Sequence, residues 1–253
     1  MLPVERKRKI LEYLISNQSA SISELSALCS VHESTIRRDL VELELEEKLK
    51  RTHGGAILED WVSVEPSFDE RQGHNIDEKS RIGQKAAQFI EAGDTVILDS
   101  GTTSLQIAKH MKHLKNVQVF TNDINIATEL KDCSGIKVYI TGGELYLHSY
   151  MLNGHYTNSF LESVQVKKAF LGTPAIHPIH GLTHMEAILV PTKQKIIQAA
   201  KEVFVVADSS KIGRYSAHLI SKIDEKFSLI TGKEVKNEYI EAFQEAAIKL
   251  YTV

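Results

Sequence analysis

Five short clusters of small polar residues lie in the longer, C-terminal part of the chain: Asp99-Ser100-Gly101-Thr102-Thr103, Thr121-Asn122-Asp123, Thr141-Gly142-Gly143-Glu144, Gly172-Thr173 and Asp208-Ser209-Ser210-Lys211. Their residue types suit the capture of an anion. Gly101 lets a backbone approach a ligand closely. A helix starting at Thr102 or Thr103 would offer free amides and the positive end of its dipole to a phosphate or carboxylate. Lys211 would add a point charge. Each cluster alone has a plainer reading: Gly142-Gly143 serves as a turn, and Asp208-Ser209 as a helix cap. The chain holds neither a Walker sequence nor GxGxxG, so a nucleotide is not indicated.

A different chemistry is written near the N-terminus, in Ser34-Thr35-Ile36-Arg37-Arg38-Asp39-Leu40 and in Arg51-Thr52-His53-Gly54-Gly55-Ala56. Residues of a helix turn by roughly 100° each, so Ile36, Leu40 and Leu43 share an apolar face. Arg38 points away from that face, flanked by Ser34, Thr35 and Arg37. Hydroxyls and one arginine in front of an apolar back can hold phosphates while the other arginine reaches base edges in a DNA groove. The competing reading is an amphipathic helix with merely solvated arginines.

The elements that must position these residues favour the DNA reading. Val4 to Gln18 carries apolar residues at helical spacing (Val4, Leu11, Leu14, Ile15). Ser21–Cys29 reads as a second helix, with Ser21 and Glu24 at capping-box spacing and Ile22, Leu25 and Leu28 as its apolar positions. The Thr35 helix follows a short turn, giving a helix-turn-helix. Lys48-Leu49-Lys50-Arg51 alternates as a strand, and Gly54-Gly55 supplies a tight turn, which adds a wing bearing Lys50, Arg51 and His53. Ile57–Asn75, with the chain's single tryptophan Trp61, Pro66 and Phe68, reads as a linker. Beyond Asp77, short apolar runs at Thr95–Leu98, Val117–Phe120, Lys137–Ile140, Ala169–Leu171, Val203–Ala207 and Phe227–Ile230 alternate with helical stretches at Lys79–Ile90, Ser104–His113 and Ile124–Leu130. That alternation predicts an α/β domain with a mostly parallel sheet covered by helices on both faces. The polar clusters then fall at the carboxyl ends of the strands, where open parallel sheets bind ligands. The expected organisation is residues 1–56 winged helix-turn-helix, 57–75 linker and 76–253 α/β domain. A last helix over 236–249, with Tyr239, Ile240, Phe243 and Ala247 at helical spacing, is expected to pack on its own domain.

Residues 4–56 resemble the DNA-binding domain of DeoR-family bacterial transcriptional regulators, through the Thr-Ile-Arg-Arg-Asp-Leu helix and the Arg-x-His-Gly-Gly-Ala wing. The blocks Asp99–Thr103, Thr121-Asn122, Thr141–Gly143, Leu171-Gly172 and Asp208–Lys211 extend the resemblance over the family's effector-sensing domain. The resemblance implies a fold similar to ribose-5-phosphate isomerases and CoA-transferases. It further implies a homodimer or homotetramer that represses a carbohydrate catabolic operon until a phosphorylated sugar or sugar acid binds. Two departures stand out. His32 replaces the usual Ser at the start of the recognition helix, so Ser30, with Glu33 three residues on, is expected to take over the cap. Thr173-Pro174-Ala175 replaces a Ser-Gly pair. The expected DNA contacts are Ser34, Thr35, Arg37, Arg38, Lys50, Arg51, His53 and Gly54. The expected effector contacts are Asp99, Ser100, Gly101, Thr102, Thr103, Thr121, Asn122, Gly142, Gly143, Gly172, Asp208 and Lys211. Neither a cofactor nor a metal is expected.

Composition bounds the remainder. The chain has 253 residues and a formal net charge of −3, ordinary for a globular protein. No apolar run reaches the roughly 20 residues of a membrane span, no signal peptide is evident, and Cys29 and Cys133 are too far apart in sequence to suggest a disulfide framework, which fits a reducing cytoplasm. Residues 1–56 carry nine basic and nine acidic side chains, so little bulk charge holds DNA; bases cluster at the first helix, the recognition helix and the wing, and a modest non-specific affinity with dimerisation making up the difference is expected. His177, His180 and His184 invite a metal reading, but Pro178 and Gly181 break any helix that would align them; a pH-tuned or substrate-contacting loop ranks ahead of a metal site, and a plain exposed loop ahead of both. An isomerase with an accessory DNA-binding domain would need a base, for which Asp99, Asp208 and Glu186 are the candidates.

Overall fold

The computed structural model describes residues 2–17, 19–46, 49–57, 61–62, 65–246 and 248–253, leaving aside the side chains of residues 12, 15 and 16. The chain divides into two compact units, Met1–Trp61 and Val62–Val253.

In the first unit, α1 (Pro3–Asn17) leads through β1 (Ser19–Ser21) to α2 (Ile22–Cys29), α3 (Glu33–Leu45) and a hairpin of β2 (Lys50–Thr52) and β3 (Gly55–Ile57). The central strand, β3, runs antiparallel to both β1 and β2. Ile10, Leu14, Leu25, Ile36, Leu40 and Leu43 are buried, so all three helices contribute to the core; the spacing read in α1 is corrected, since Val4 is exposed, Leu11 is half-buried and Ile10 takes the inward position. The side chain of Ile15 and all of Lys48 lie outside the described residues. The predicted capping box forms: Ser21 N donates to Glu24 Oε2 at 2.7 Å and Glu24 N donates to Ser21 Oγ at 3.2 Å.

Two local expectations are corrected. Ser30 does not cap α3; at φ 53° it is the left-handed C-cap of α2. His32 caps α3 instead, its Nδ1 accepting from Ser34 N at 3.3 Å, which an imidazole does when its proton sits on Nε2. The wing turn is not Gly54-Gly55. Thr52 pairs with Gly55, so His53 and Gly54 make the turn. Gly55 is needed inside β3 because a Cβ there would overlap the carbonyl of Ala20. The unanticipated strand β1 brings that carbonyl into place.

The second unit opens with α4 (Phe68–Gly73) and α5 (Ile76–Ala87). It continues through β4 (Thr95–Leu98), α6 (Thr102–Met111), β5 (Val117–Thr121), α7 (Ile124–Leu130), β6 (Ile136–Ile140), β7 (Glu144–Tyr146), β8 (Met151–Asn153), α8 (His155–Glu162) and β9 (Val166–Gly172). It closes with β10 (Ala175–His177), β11 (Gly181–His184), α9 (Val190–Ala199), β12 (Ala200–Val206), β13 (His218–Ser221), β14 (Phe227–Thr231), α10 (Asn237–Glu245) and β15 (Lys249–Thr252). Seven strands form one parallel sheet in the order β15-β14-β12-β9-β4-β5-β6, and all six predicted strands belong to it. Side chains alternate across it. Val96, Leu98, Phe170, Phe204 and Val206 pack with Ile82, Ile107 and Ile126 on one face. Ile97, Leu171, Val203 and Val205 pack with Leu161, Ile196 and Phe243 on the other. A strand buried on both faces reads as a continuous apolar run, which is why these runs were legible.

The expected 236–249 helix is shorter than its spacing suggested. α10 stops at Glu245, and Lys249 begins β15, which pairs with the open edge of β14; Phe243 is buried as expected, and Ala247 lies outside the described residues. From Val62 onward, the stretch read as a linker belongs to the second unit. Val62 N donates to Tyr215 O at 2.9 Å, a Ser67–Glu70 capping box opens α4, and Phe68 is buried in the core.

Candidate functional site

On the first unit, α3 presents the surface that its sequence promised. Ser34, Arg37 and Arg38 are exposed and Thr35 is half-buried, opposite the buried Ile36, Leu40 and Leu43. Lys50, Arg51, His53 and Gly54 are exposed on the wing. Their charges are not equally available. Arg37 is held by Glu33 at 3.1 Å across one helical turn. Arg51 Nη1 lies 3.7 Å from Glu44 Oε2, and Arg51 N donates to Glu44 Oε1 at 2.9 Å. Among the described residues, the side chains of Arg38 and Lys50 have no hydrogen bond or ion pair. The bases of the first helix are largely consumed within the unit. Arg6 makes a bidentate pair with Asp39, Nε to Oδ2 at 2.5 Å and Nη2 to Oδ1 at 2.9 Å, both residues buried. Lys7 pairs with Glu42 at 2.7 Å and Glu46 at 3.1 Å, and Lys9 Nζ donates to Leu28 O at 2.9 Å. The basic surface is therefore narrower than the sequence count implied, and centres on Arg38 and Lys50.

On the second unit the sheet reverses direction between β4 and β9: the chain proceeds from β4 toward β6 on one side and from β9 toward β15 on the other. The crevice at such a switch point, beyond the strand ends, is where this architecture places ligands. A small cavity of about 50 Å³, partly open to solvent, lies there. Seven of the twelve expected effector residues line it: Ser100, Gly101, Thr102, Thr103, Gly172, Asp208 and Lys211. Asp99, fully buried, sits among them without lining the cavity; its Oδ2 accepts from Lys193 Nζ at 2.6 Å and from Gly172 N at 3.1 Å.

Thr121, Asn122, Gly142 and Gly143 are not brought to the cavity. Thr121 Oγ1 accepts from Asp123 N at 3.1 Å, and Asp123 accepts in turn from Gly101 N at 3.1 Å and from Asn125 N at 2.7 Å. This cluster holds the loop before α6 in place. Burial is the main reason the Asp123 carboxyl is pushed up to about 6; the amides of Ile126, Gly101 and Asn125 oppose it, and the charge of Asp99 adds to it. Asn122 Nδ2 donates to Leu152 O at 3.3 Å. Gly142 O accepts from Thr157 Oγ1 at 2.6 Å, and Gly143 sits at φ 136°, with no room for a side chain beside Thr157 and Asn153.

Electrostatics give the cavity its character. α6 starts at Thr102 behind Gly101 (φ 141°) with no side-chain cap, so the amides of Thr102, Thr103 and Ser104 face the cavity unpaired within their helix. Ser104 Oγ is fully buried and has no hydrogen-bond partner among the described residues. Four cations line the space, Arg71, Lys79, Lys193 and Lys211, against two carboxylates, Glu65 and Asp208. Burial would raise Asp208, but Lys211, Ser210, Lys79 and Asn75 outweigh it, and the group stays below its ordinary range. Burial lowers Lys79, partly opposed by Asp208.

Sequence reading missed Lys193, Lys79, Arg71 and Ser104. A signal existed for two of them. Lys79 stands three residues before Ile82, and Lys193 three before Ile196, so each is a charge on the apolar stripe of its helix. The histidine segment also differs from expectation. It is not a loop but the β10–β11 hairpin, paired from Ala175–Thr183 to His177–Gly181. The rings of His177 and His180 lie 4.6 Å apart, with His180 4.6 Å from Tyr215; His184 alone lines the cavity. Burial first, then the charges of Lys193, Arg71 and His218, push His184 down to about 3.

Because an unfolded histidine protonates near 6.5, the folded unit binds fewer protons than the unfolded chain between about 3 and 6.5. The second unit should therefore lose stability as pH falls through that window, by up to about 1.4 kcal/mol per pH unit from this one group. His184→Asn keeps an acceptor for Glu186 N, which His184 Nδ1 now binds at 2.9 Å. Chemical denaturation of that variant between pH 7 and 4 should show a flatter dependence than wild type; an unchanged slope would refute this assignment.

Of the three candidate bases, Asp99 is engaged by Lys193, Asp208 accepts from Asn75 Nδ2 at 3.1 Å and from Ser210 N at 3.1 Å, and Glu186 is exposed and outside the cavity lining. The geometry groups cations and amides around an anion-sized space.

A winged helix-turn-helix unit followed by an α/β unit with a ligand crevice defines a DNA-binding transcriptional regulator with a built-in sensor. The chain belongs to the DeoR family: residues 6–61 match the DeoR-like helix-turn-helix domain and residues 74–233 the DeoR C terminal sensor domain. It is 36% identical over 252 residues to the HTH-type transcriptional repressor GlcR of Bacillus subtilis (strain 168), covering 99% of this chain and 96% of the relative. It is 31% identical over 251 residues to the putative aga operon transcriptional repressor of Escherichia coli O157:H7, covering 98% and 93%. The ribose 5-phosphate isomerase from Plasmodium falciparum superposes with a TM-score of 0.39 at 15% identity, over 54% of this chain and 52% of the isomerase, a likeness too partial to bear on function. No helix among the described residues is long and apolar enough to cross a membrane.

Proposed function

We propose that the protein is a repressor of a carbohydrate catabolic operon, and that a phosphorylated sugar or sugar acid binds the β4–β9 cavity and releases the protein from its operator. The observation that carries the effector class is the convergence of the α6 amides, the partnerless Ser104 hydroxyl and Lys211 on one space. A helix N-terminus with a nearby cation is a ready-made phosphate site. The repressive sign takes its support from the relatives named as repressors. The expected assembly is a homodimer or homotetramer, since paired recognition helices reach two half-sites about 34 Å apart or a multiple of it. Effector binding shifts the population toward the form with lower operator affinity, by no more than its differential affinity for the two forms.

The test is operator binding to DNA beside the protein's own gene, titrated with a panel of sugar phosphates and their unphosphorylated sugars. One phosphorylated compound should release the protein while its sugar does not. Lys211→Met should raise the concentration of that compound needed for release about ten-fold or more, as expected for loss of one charge-assisted contact. Release by unphosphorylated sugars alone would overturn the ligand class.

A further inference from the structure

The cavity contains an ion pair that an anionic ligand can exchange. Arg71 Nη1 lies 2.8 Å from Glu65 Oε1, both side chains are nearly buried, and both line the cavity that holds the α6 amides. Arg71 is further fixed by donating from Nε to Pro66 O at 2.9 Å and from Nη2 to Ser149 Oγ at 3.4 Å. Its own carbonyl accepts from Lys79 Nζ at 2.7 Å. The Glu65 carbonyl is hydrogen-bonded to His148 Nε2 at 2.8 Å, and its carboxylate also lies 3.9 Å from His184 Nε2. With His184 held neutral by burial, that contact supplies no countercharge. Arg71 is thus the cation that neutralises Glu65. Glu65 also stands only four residues after Trp61, the last residue of the DNA-binding unit.

We propose that Arg71 is an effector-reading residue: a phosphate entering at α6 takes Arg71 from Glu65, and the freed Glu65 loosens the segment that continues into the DNA-binding unit. This rests on the anion-site reading above and adds its regulation. Arginine suits the exchange because its planar fork binds a carboxylate and a phosphate with the same geometry. A released Glu65 carboxylate has no reason to stay buried beside a bound dianion, since like charges repel. The segment has other holds that do not involve Arg71: Val62 N to Tyr215 O at 2.9 Å, Ser216 Oγ to Val62 O at 2.5 Å, Phe68 N to His148 O at 3.0 Å, and a hydrogen bond between His148 Nε2 and Glu65 O at 2.8 Å. Occupancy of the cavity is thereby coupled to the contacts Arg71 makes with Glu65 and Pro66 rather than to all of them.

Trp61, the single tryptophan, supplies the readout. The full-length protein is titrated with inorganic phosphate, following heat by calorimetry and Trp61 fluorescence in parallel. Glu65→Gln frees Arg71 in advance. It should tighten phosphate binding about ten-fold while shrinking the fluorescence change. Arg71→Met should weaken binding about ten-fold or more and abolish the fluorescence change, and Arg71→Lys should recover part of the affinity but little of the signal. Thermal melts confirm that each variant is folded. Wild-type binding of phosphate that is indifferent to both Glu65→Gln and Arg71→Met overturns this inference alone. Absence of phosphate binding to wild type overturns it together with the anion-site reading.

Discussion

Arg38→Ala should cost on the order of 100-fold or more in affinity for an operator with two half-sites, because a bidentate arginine–base contact contributes about 1–3 kcal/mol and each half-site loses one. The expectation singles out Arg38 because Arg37 is engaged by Glu33, whereas the Arg38 side chain is exposed with no hydrogen bond or ion pair among the described residues. The variant should lose discrimination between operator and scrambled DNA more than it loses non-specific binding. Lys50→Ala, on the wing, should behave in the opposite way, weakening all sequences alike and lowering the salt slope by about one. Fluorescence anisotropy at several salt concentrations separates the two behaviours. If Arg38→Ala keeps the wild-type ratio of operator to scrambled affinity, Arg38 does not read bases.

The second large effect concerns stability. Asp39→Ala removes one partner of the buried pair with Arg6 and takes from the Arg6 guanidinium the carboxylate that it binds in bidentate fashion. Breaking such a pair costs about 3–5 kcal/mol, a large share of what a unit of this size has to spare. Amide exchange along α1 and α3 should accelerate at least about 100-fold, since local protection reports the same free energy. Arg6→Met combined with Asp39→Leu replaces both charges with apolar groups and should recover much of the protection, as apolar replacement of buried pairs does elsewhere. Equal protection in wild type and Asp39→Ala would mean that the pair contributes nothing to the fold. Operator binding should fall in Asp39→Ala as well, but through loss of the folded unit, so the double substitution should restore binding that no Arg38 variant can.

These two neighbouring residues illustrate what was legible. The 3.6-residue period of Ile36, Leu40 and Leu43 was enough to orient Arg38 outward, and it also places Asp39 toward the interior. What Asp39 meets there is Arg6, thirty-three residues away, and no local pattern names that partner. Counting charges treated Arg6 and Lys7 as part of a DNA-binding surface, whereas tertiary contacts turned both toward carboxylates of α3. The histidine cap of α3 and the third strand of the wing escaped notice for a related reason. Both depend on where a neighbouring element ends, Ser30 at the close of α2 and Ala20 in β1.

The sequence alone determined the helix-turn-helix, six strands of the parallel sheet and the helices α5, α6 and α7, since each is set by periodicity or by a contiguous motif, but not β1, the β10–β11 hairpin or β15. It also located the glycines and hydroxyls at the ends of β4 and β9, and Asp208 and Lys211 after β12, which do line the cavity. Only the tertiary structure decided which strand ends share a cavity, because that depends on sheet order. β4 and β9 are neighbours though separated by four intervening strands in the chain, and β6 is carried to the far edge, which takes Gly142 and Gly143 away. It also supplied the cations. Lys79, Lys193 and Arg71 come from three helices that pack against the strand ends, and a charge brought to a cavity by helix packing leaves only a faint local trace, a polar residue on an otherwise apolar stripe.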